Sequence, residues 1–361
     1  MSWRYYLQSL PSGEWISKDV PLKGGQVMTA LSGPASISGN LPVEFKDLKL
    51  KNGAVAVREW GCLLIAEQAG YEPVCGIVDT VQVNGESLTV SAGGFSMYPN
   101  GIPWLAADFA GVEVDPLDMV RKIWAHIQSY EDGNLGIQVD SLKSPIMIGE
   151  EEAEPDPEGG STDPEAGPFR LAWWATDDLG KVIADLFADH SIAFRERSFW
   201  DGEELKHRLE LGYPVLGVRR ESLRFEIGIN VIEAPPADDM DYASEVLVFG
   251  AGEGRTKPRA TASKSTGRLR RVHVETDSSI VSKKAAQAAA NPLMAGLAGG
   301  FGIESVTVID HESARFSEFE PGDEIFIQGD AGWIQLAHWV RIEDMTDDTD
   351  SGVRTLKVVT V

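Results

Sequence analysis

Short runs of branched and aromatic residues, separated by Gly, Pro and Asn, constrain this fold more than any other sequence feature. Two such runs are Ala54–Ala66 and Val74–Val83, and runs of this kind are typical of β-strands. Asn84-Gly85 separates the second run from the next one. Because Asn-Gly accepts the positive φ angles of a type I′ turn, the sequence predicts a hairpin there. The first hundred residues therefore predict β-structure.

The middle of the chain has helical spacing instead. Asp115 is a suitable N-cap, Pro116 suits the first helical position, and apolar residues recur at helical spacing up to Ile127. Thr176 is the predicted cap of a second helix. A short strand is predicted over residues 135–139. This region therefore predicts an α/β arrangement.

The last third of the sequence returns to β-patterns. The predicted elements are a strand over Glu245–Phe249, a helix over Ser282–Ala290, and strands over Ser305–Asp310, Asp323–Gln328, Trp333–Ile342 and Arg354–Val361. The outline along the chain is β, then α/β, then β.

The charges of the chain are unevenly distributed. Asp and Glu number 56 against 32 Lys and Arg, so the net charge is −24, which disfavours broad nucleic-acid binding. Residues 149–168 hold eight acids, four prolines and no Lys or Arg, a composition that predicts a disordered acidic loop. Arg255 to Arg271 hold seven basic residues and no acid. This basic stretch either meets an acidic surface of a partner or another copy, or forms a solvated hairpin that balances nearby acids.

Few residues suggest a reactive or metal-binding site. Cys62 and Cys75 are too few for a disulfide framework or the usual four-ligand zinc site, and we expect two buried thiols. The six histidines form no His-Glu-x-x-His motif. We expect them to be core or surface residues: His126, His190, His207, His273, His311 and His338. We expect three tryptophans to lie in the core: Trp60, Trp124 and Trp339.

No motif of a cofactor-binding or catalytic site is present. Residues 250–254 superficially resemble a dinucleotide loop, but a third glycine at the required spacing and a following helix are missing. There is no Gly-x-Ser-x-Gly elbow. One acidic cluster is predicted to be a solvated turn: Asp344, Asp347, Asp348 and Asp350. We therefore predict no catalytic, cofactor-binding or metal-binding residue, although chance carboxylate pairs keep hydrolysis open.

A set of short motifs is spread over most of the chain. They are Glu59-Trp60-Gly61, Gly76-Ile77-Val78, Asp115-Pro116 with Ile123-Trp124, Gly133-Asn134-Leu135-Gly136, residues 248–254, Gly267-Arg268 and Pro321-Gly322-Asp323. In this order they resemble the minor tail proteins that form the tail-tip (baseplate) hub of long-tailed phages (siphophages) of actinobacteria.

The resemblance implies a phage tail-hub-like fold of the β-rich α+β class, with two β-barrel-like domains and an α/β insert. The corresponding domains are an N-terminal β domain (1–108), an α/β region with the acidic loop (109–235) and a C-terminal β-barrel-like domain (236–361). The implied role is that of a non-enzymatic structural subunit, without a cofactor. Its homotrimeric ring would join the tail tube to tip proteins and surround the DNA exit channel.

The same resemblance implies the partners and the location. The expected partners are further copies of the chain, the distal tail protein, the tape measure protein and other minor tail proteins. DNA would pass through the channel without stable binding. The expected location is the tail tip of the virion, after assembly in the host cytoplasm. No membrane span is expected, since no stretch reaches about 18 uninterrupted apolar residues.

Two other functions stay open at this stage. One is a tail-associated cell-wall hydrolase that uses a carboxylate pair. The other is a receptor- or carbohydrate-binding tip module, in which exposed tryptophans stack on sugars.

Overall fold

The computed structural model describes residues 3–151, 167–235, 242–297, 303–332 and 334–361, with the side chain of residue 334 left out. Most of the predicted disordered loop, residues 152–166, lies outside the described residues. None of the helices in the described ranges is long and apolar enough to cross a membrane.

The first region consists of antiparallel strands. They are β1 (Trp3–Ser9), β2 (Trp15–Ser17), β3 (Lys23–Ala30), β4 (Ser36–Pro42), β5 (Cys62–Gln68), β6 (Val74–Asn84) and β7 (Ser87–Gly93). They pair in the order β3-β4-β7-β6-β5-β1-β2. The predicted hairpin is confirmed, because Asn84 pairs with Ser87 and Gly85 has a φ of +61°. Inward-facing residues such as Ile37, Leu64 and Val78 form the core.

The middle region combines helices with short sheets. Its elements are β8 (Phe109–Gly111), α1 (Pro116–Ile127), β9 (Ile137–Val139), β10 (Phe169–Leu171), α2 (Leu179–Asp189), β11 (Ala193–Asp201) and β12 (Glu204–Gly212). The cap of α1 is confirmed, since Asp115 accepts a hydrogen bond from the backbone N–H of Leu117 at 2.9 Å. The predicted cap of α2 is wrong: Asp178 caps the helix by accepting from Lys181 N. Thr176 is buried and instead accepts from Ala172 N, which closes the preceding turn.

The last region supplies two units. Its elements are β13 (Phe225–Glu226), β14 (Val231–Glu233), β15 (Glu245–Phe249), β16 (Arg259–Ser263), β17 (Val272–Thr276), α3 (Lys283–Leu297), β18 (Ser305–Ile309), β19 (Glu324–Ala331), β20 (Ile334–Asp348) and β21 (Val353–Thr360). Six of these strands pair in the order β13-β19-β20-β21-β18-β14 around one hydrophobic core, and over the described residues they do not close into a barrel. Between β13 and β14 only an isolated bridge, Ile227 to Val231, joins the two ends. The prediction of a β-rich α+β fold is confirmed.

The remaining four elements of this region form what we call the small unit, residues 242–297. Its sheet has the order β16-β15-β17, with β17 parallel to β15. α3 extends beyond the predicted end at Ala290 and contains Pro292 in its interior.

The two β-regions belong to one sheet of 13 strands. β20 is paired with β21 and, over Asp344–Asp348, also with β3, where Asp344 lies opposite Ala30 and Asp348 opposite Gln26. β13 and β14, from the predicted middle region, pair with β19 and β18. The three-domain division stays a prediction.

Candidate functional site: the charged junction

The three regions of the chain meet around a cavity of about 270 Å³. Its lining comes from far-apart segments: Glu72 from the N-terminal β-region, Arg195 and Arg197 from β11, and Glu320 and Arg354 from the C-terminal β-region. We call these residues, with their partners Glu210 and Asp347, the junction. Charged side chains from three regions therefore converge at one place.

Arg195 and Arg197 hold the centre of the junction. Arg195 Nε lies 3.1 Å from Glu210 Oε2, and its Nη1 lies 2.6 Å from Glu320 Oε1. Arg197 contacts the same two glutamates, at 2.8 Å and 2.7 Å, and also reaches Glu72 at 3.2 Å. Burial alone would lower the pKa of Arg197, but the charges of Glu320 and Glu210 outweigh it and raise this pKa. The network joins all three regions through charge-assisted hydrogen bonds.

Arg354 on β21 is the third arginine of the junction, and it is buried. Its Nε and Nη2 donate to the two oxygens of Asp347, at 2.8 Å and 2.9 Å, which is a bidentate fork. Nη1 donates to the carbonyl of Phe316, and the guanidinium lies 4.3 Å from the centroid of that ring. Only 4% of the Arg354 side chain is exposed. Its charge is thus matched inside the protein.

Glu196 lies between the two arginines on β11 and contacts the N-terminal region. Its carboxylate accepts hydrogen bonds from the backbone N–H of Ala35 at 3.0 Å and of Ser96 at 2.5 Å. Burial raises the pKa of Glu196 to about 7, against the lowering effect of these hydrogen bonds. A titratable group therefore links β11 to the first region.

A second polar contact lies beside it. Ser198 Oγ is 2.9 Å from His207 Nδ1, and both residues are buried. Burial lowers the pKa of His207 to about 4 and raises the pKa of the neighbouring Cys75 to about 12. A histidine with so low a pKa is a weak base, and a thiol with so high a pKa stays protonated. At neutral pH this cluster is uncharged.

The chemistry of the junction is that of a connection between segments. Its carboxylates are engaged by guanidinium groups, so the arrangement resembles a structural ion-pair network. Within the described ranges, no group of three or more His, Cys, Asp or Glu side chains is arranged to hold a metal ion.

The structure also places the residues that the sequence singled out. Cys62 and Cys75 are free and buried, as expected. Trp124 is fully buried, but Trp60 is 54% exposed and has a φ of +57°, so its assignment to the core is wrong. Trp60 lies in the turn before β5, with its ring centroid 6.4 Å from that of Tyr98. Trp339 is half-buried, with the guanidinium of Arg219 4.5 Å from its ring centroid.

The structure also places the predicted acidic turn and the glycine-rich residues 250–254. Asp344, Asp347 and Asp348 belong to β20, because pairing with β3 and β21 continues through them, so the predicted turn is wrong for these three. Asp350 does lie in the turn that follows. Residues 250–254 lead into a short 3-10 helix (Gly254–Thr256) and then β16, and no α-helix begins there.

The junction glutamates were not predicted. Glu72, Glu210 and Glu320 lie in three different regions, and no local motif marks any of them. Only the alternation of charged residues on β11, from Arg195 to Arg197, carries a sequence signal.

Comparison with solved structures relates this architecture to known proteins. The prophage MuSo2 43 kDa tail protein from Shewanella oneidensis superposes with a TM-score of 0.58 and 11% identity, covering 99% of this chain and 98% of that one. The tail protein from Neisseria meningitidis MC58 has a TM-score of 0.54 and 10% identity, over 100% and 97% of the two chains. The chain has the fold of phage tail proteins.

A third structure shares the fold over part of its length. A chain of a PdpA–VgrG complex in its lidless form has a TM-score of 0.53 and 10% identity, and the match covers 99% of this chain and 64% of that one. No protein-family model matches the sequence, and a search of curated proteins finds no match. At these identities the likeness concerns the fold, and function is a separate question.

Proposed function

We propose that this chain is a structural subunit of a phage tail tip, where it forms a homotrimeric hub ring around the DNA exit channel. The observation that carries the proposal is the match to two tail proteins over nearly the full length of both chains. In this role the ring joins the tail tube to tip proteins, and the phage is a siphophage of actinobacteria. The partners are the distal tail protein, the tape measure protein and other minor tail proteins.

The charges and the junction support this role. A net charge of −24 disfavours adhesion of DNA to the protein, so DNA can slide past without stable binding. The junction fixes three regions of the chain relative to one another, which suits a subunit that must keep its shape within an assembly. The match to a chain of a PdpA–VgrG complex fits a part that assembles with other proteins.

Sedimentation velocity of the purified chain tests the ring directly. We expect a species with three times the mass of one chain at micromolar concentration. Antibody against the chain should label one end of the tail in electron micrographs of the particle. A monomer at every concentration, absent from purified tails, would contradict the proposal.

The proposed role is non-enzymatic, and this has its own test. The junction carboxylates face arginines at 2.6–3.2 Å, so they are poorly placed for proton transfer to a sugar. We expect no soluble sugar or peptide after incubation with purified actinobacterial cell wall. Release of either would favour the hydrolase hypothesis.

One observation favours a second candidate function, binding of a carbohydrate receptor. Trp173 and Trp174 are adjacent and 68% and 60% exposed, and Trp174 Nε1 donates to Asp108 at 3.4 Å. Exposed indole rings beside a carboxylate offer a stacking surface and an acceptor for sugar hydroxyl groups. If this is the function, Trp173→Ala/Trp174→Ala should abolish cell-wall binding, while Trp60→Ala should leave it unchanged.

A further inference from the structure

The small unit covers only one face of its sheet. Val246 and Val248 on β15, with Ala260 on β16, pack against Ala286 and Ala290 of α3, and all five residues are buried. Since side chains alternate along a strand, the neighbouring residues point to the opposite face. That second face is where the unit differs from an ordinary two-layer fold.

The opposite face carries apolar side chains without a covering layer. Leu247 and Phe249 are half-buried, while Val272 and Val274 are 41% and 55% exposed. The register places Leu247 beside Val274, so these side chains form one continuous patch, which we call the open face. In the described residues, the strands of the small unit make extensive contacts only with one another and with α3. Contiguous exposed apolar surface of this kind marks interaction sites.

Basic residues surround the open face. Lys257 Nζ lies 5.6 Å from the ring centroid of Phe249. Arg259 on β16 is paired with Phe249, so its side chain lies on the same face of the sheet. Arg271 directly precedes β17, and Glu245, which shares the open face, is paired with Arg270 at 2.6 Å. Both Arg259 and Arg271 are exposed, and neither has an ion pair among the described residues. The patch therefore has an apolar centre and a mainly basic rim, and protein interfaces likewise combine an apolar core with a polar rim.

The charge of the whole chain indicates what this patch fits. The basic stretch carries +7, so the other residues together carry −31. Copies with such a charge repel one another unless cations of one copy face acids of the next. A ring is built from heterologous contacts, in which two different patches of the same chain meet. The basic stretch is the most concentrated source of cations for such a contact.

We infer that the open face, with Arg259 and Arg271 at its rim, docks on an acidic surface of a second copy of this chain. The inference rests on the proposed ring and specifies which surface of the subunit closes it. The apolar centre supplies the buried area, and the basic rim fixes the orientation of the next copy and offsets the repulsion between acidic chains.

The test compares the mass of the assembled species in three variants by sedimentation velocity. Arg259→Glu/Arg271→Glu reverses two exposed charges of the rim without changing any buried residue. We expect the Kd of self-association to rise about tenfold or more, because one or two strong contacts are lost. Val274→Asp places a charge in the apolar centre at an exposed position and should have the same effect.

The matched control is Lys283→Glu/Lys284→Glu. It changes the net charge by the same amount, in the same unit, but lies at the start of α3 on the side away from the open face. We expect the control to keep the mass of the wild type. Circular dichroism spectra of all three variants should match that of the wild type.

Each outcome is informative. If the wild type forms a ring and the rim and centre variants keep it, the ring stands and the docking surface is wrong. Loss of the ring in the control as well would show that net charge alone governs assembly, which also overturns the inference. A monomeric wild type would overturn the proposed ring and the docking surface with it.

Discussion

Two buried arginines of the junction and two exposed arginines of the small unit differ in what their charges contact. Arg195 and Arg354 are 7% and 4% exposed, and each is matched by a carboxylate and a backbone carbonyl of the same chain. Arg259 and Arg271 are exposed and have no ion pair in the ranges that the structure describes. Buried cations need internal partners because desolvation is costly, whereas exposed cations are free to attract other molecules. The first group stabilises the fold, and the second group is the one that we propose contacts another copy of the chain.

Arg354→Met should produce the largest effect, and it tests whether the buried arginines of the junction stabilise the fold. The variant leaves Asp347 largely buried without its bidentate partner, which should lower the free energy of unfolding by about 3–5 kcal/mol. Urea unfolding followed by tryptophan fluorescence measures this. The double variant Asp347→Asn/Arg354→Met should recover part of the loss, and an unchanged urea midpoint in the single variant would contradict the assignment.

Glu196, which lies between two junction arginines on β11, makes the stability of the chain depend on pH. Because its pKa is raised to about 7 in the folded state, the folded chain binds more protons than the unfolded chain between pH 4.5 and 7. This contribution is fully present below pH 4.5 and is lost as pH rises through 7, by about 3 kcal/mol in total. His207, with its lowered pKa of about 4, acts in the opposite direction between pH 4 and 6.5.

The measurement is the pH dependence of the urea midpoint in Glu196→Gln and in the wild type. Removing the glutamate should make stability rise more steeply with pH between 4.5 and 6.5, because the contribution of His207 is no longer opposed. Asp19→Asn, at an exposed position, is the control and should retain the wild-type profile. Parallel profiles in the wild type and Glu196→Gln would show that the carboxyl is not perturbed.

Met294→Ala tests whether the small unit unfolds independently of the rest of the chain. Met294 is 5% exposed in a core built mainly of alanine and valine, and its truncation should cost about 2 kcal/mol. Hydrogen exchange should then quicken over β15–β17 and α3 while β18–β21 keep their protection. Equal loss of protection in β19 and β20 would mean that the two units unfold together.

Arg259→Met should have the smallest effect on folding. Its side chain is exposed and has no ion pair among the described residues, so the free energy of unfolding should change by about 0.5 kcal/mol or less. The same urea assay measures it beside Arg354→Met. A loss comparable with that of Arg354→Met would show that Arg259 has a role within the fold.

Local chemistry explains which parts of this structure were predictable. Asp115-Pro116 and Asn84-Gly85 act through hydrogen bonds and φ angles within a few residues, so the helix start and the hairpin follow from the sequence. Thr176 failed as a cap because its hydroxyl has another partner in the turn before α2. Asp178, two residues further on, caps the helix instead, and the path of the backbone decides between the two positions.

The candidate site could not be predicted from the sequence, because its residues pair with partners far apart along the chain. Arg197 is separated from Glu72 by 125 residues and from Glu320 by 123. Neither helical nor strand periodicity relates positions so far apart. The extension of β20 through Asp344 could not be predicted for the same reason. An acidic run predicts a turn unless the neighbouring strand, here β3, is known.

The pairing of β20 with β3 has a consequence for synthesis of the chain. β3 is complete once Ala30 has been made, but the strand that covers its outer edge includes Asp344 to Asp348. At least the segment up to Asp348 must therefore leave the ribosome before this edge is covered. A chain cut short upstream of β20 would carry an open β3 edge, the kind of surface through which nascent chains join one another in aggregates.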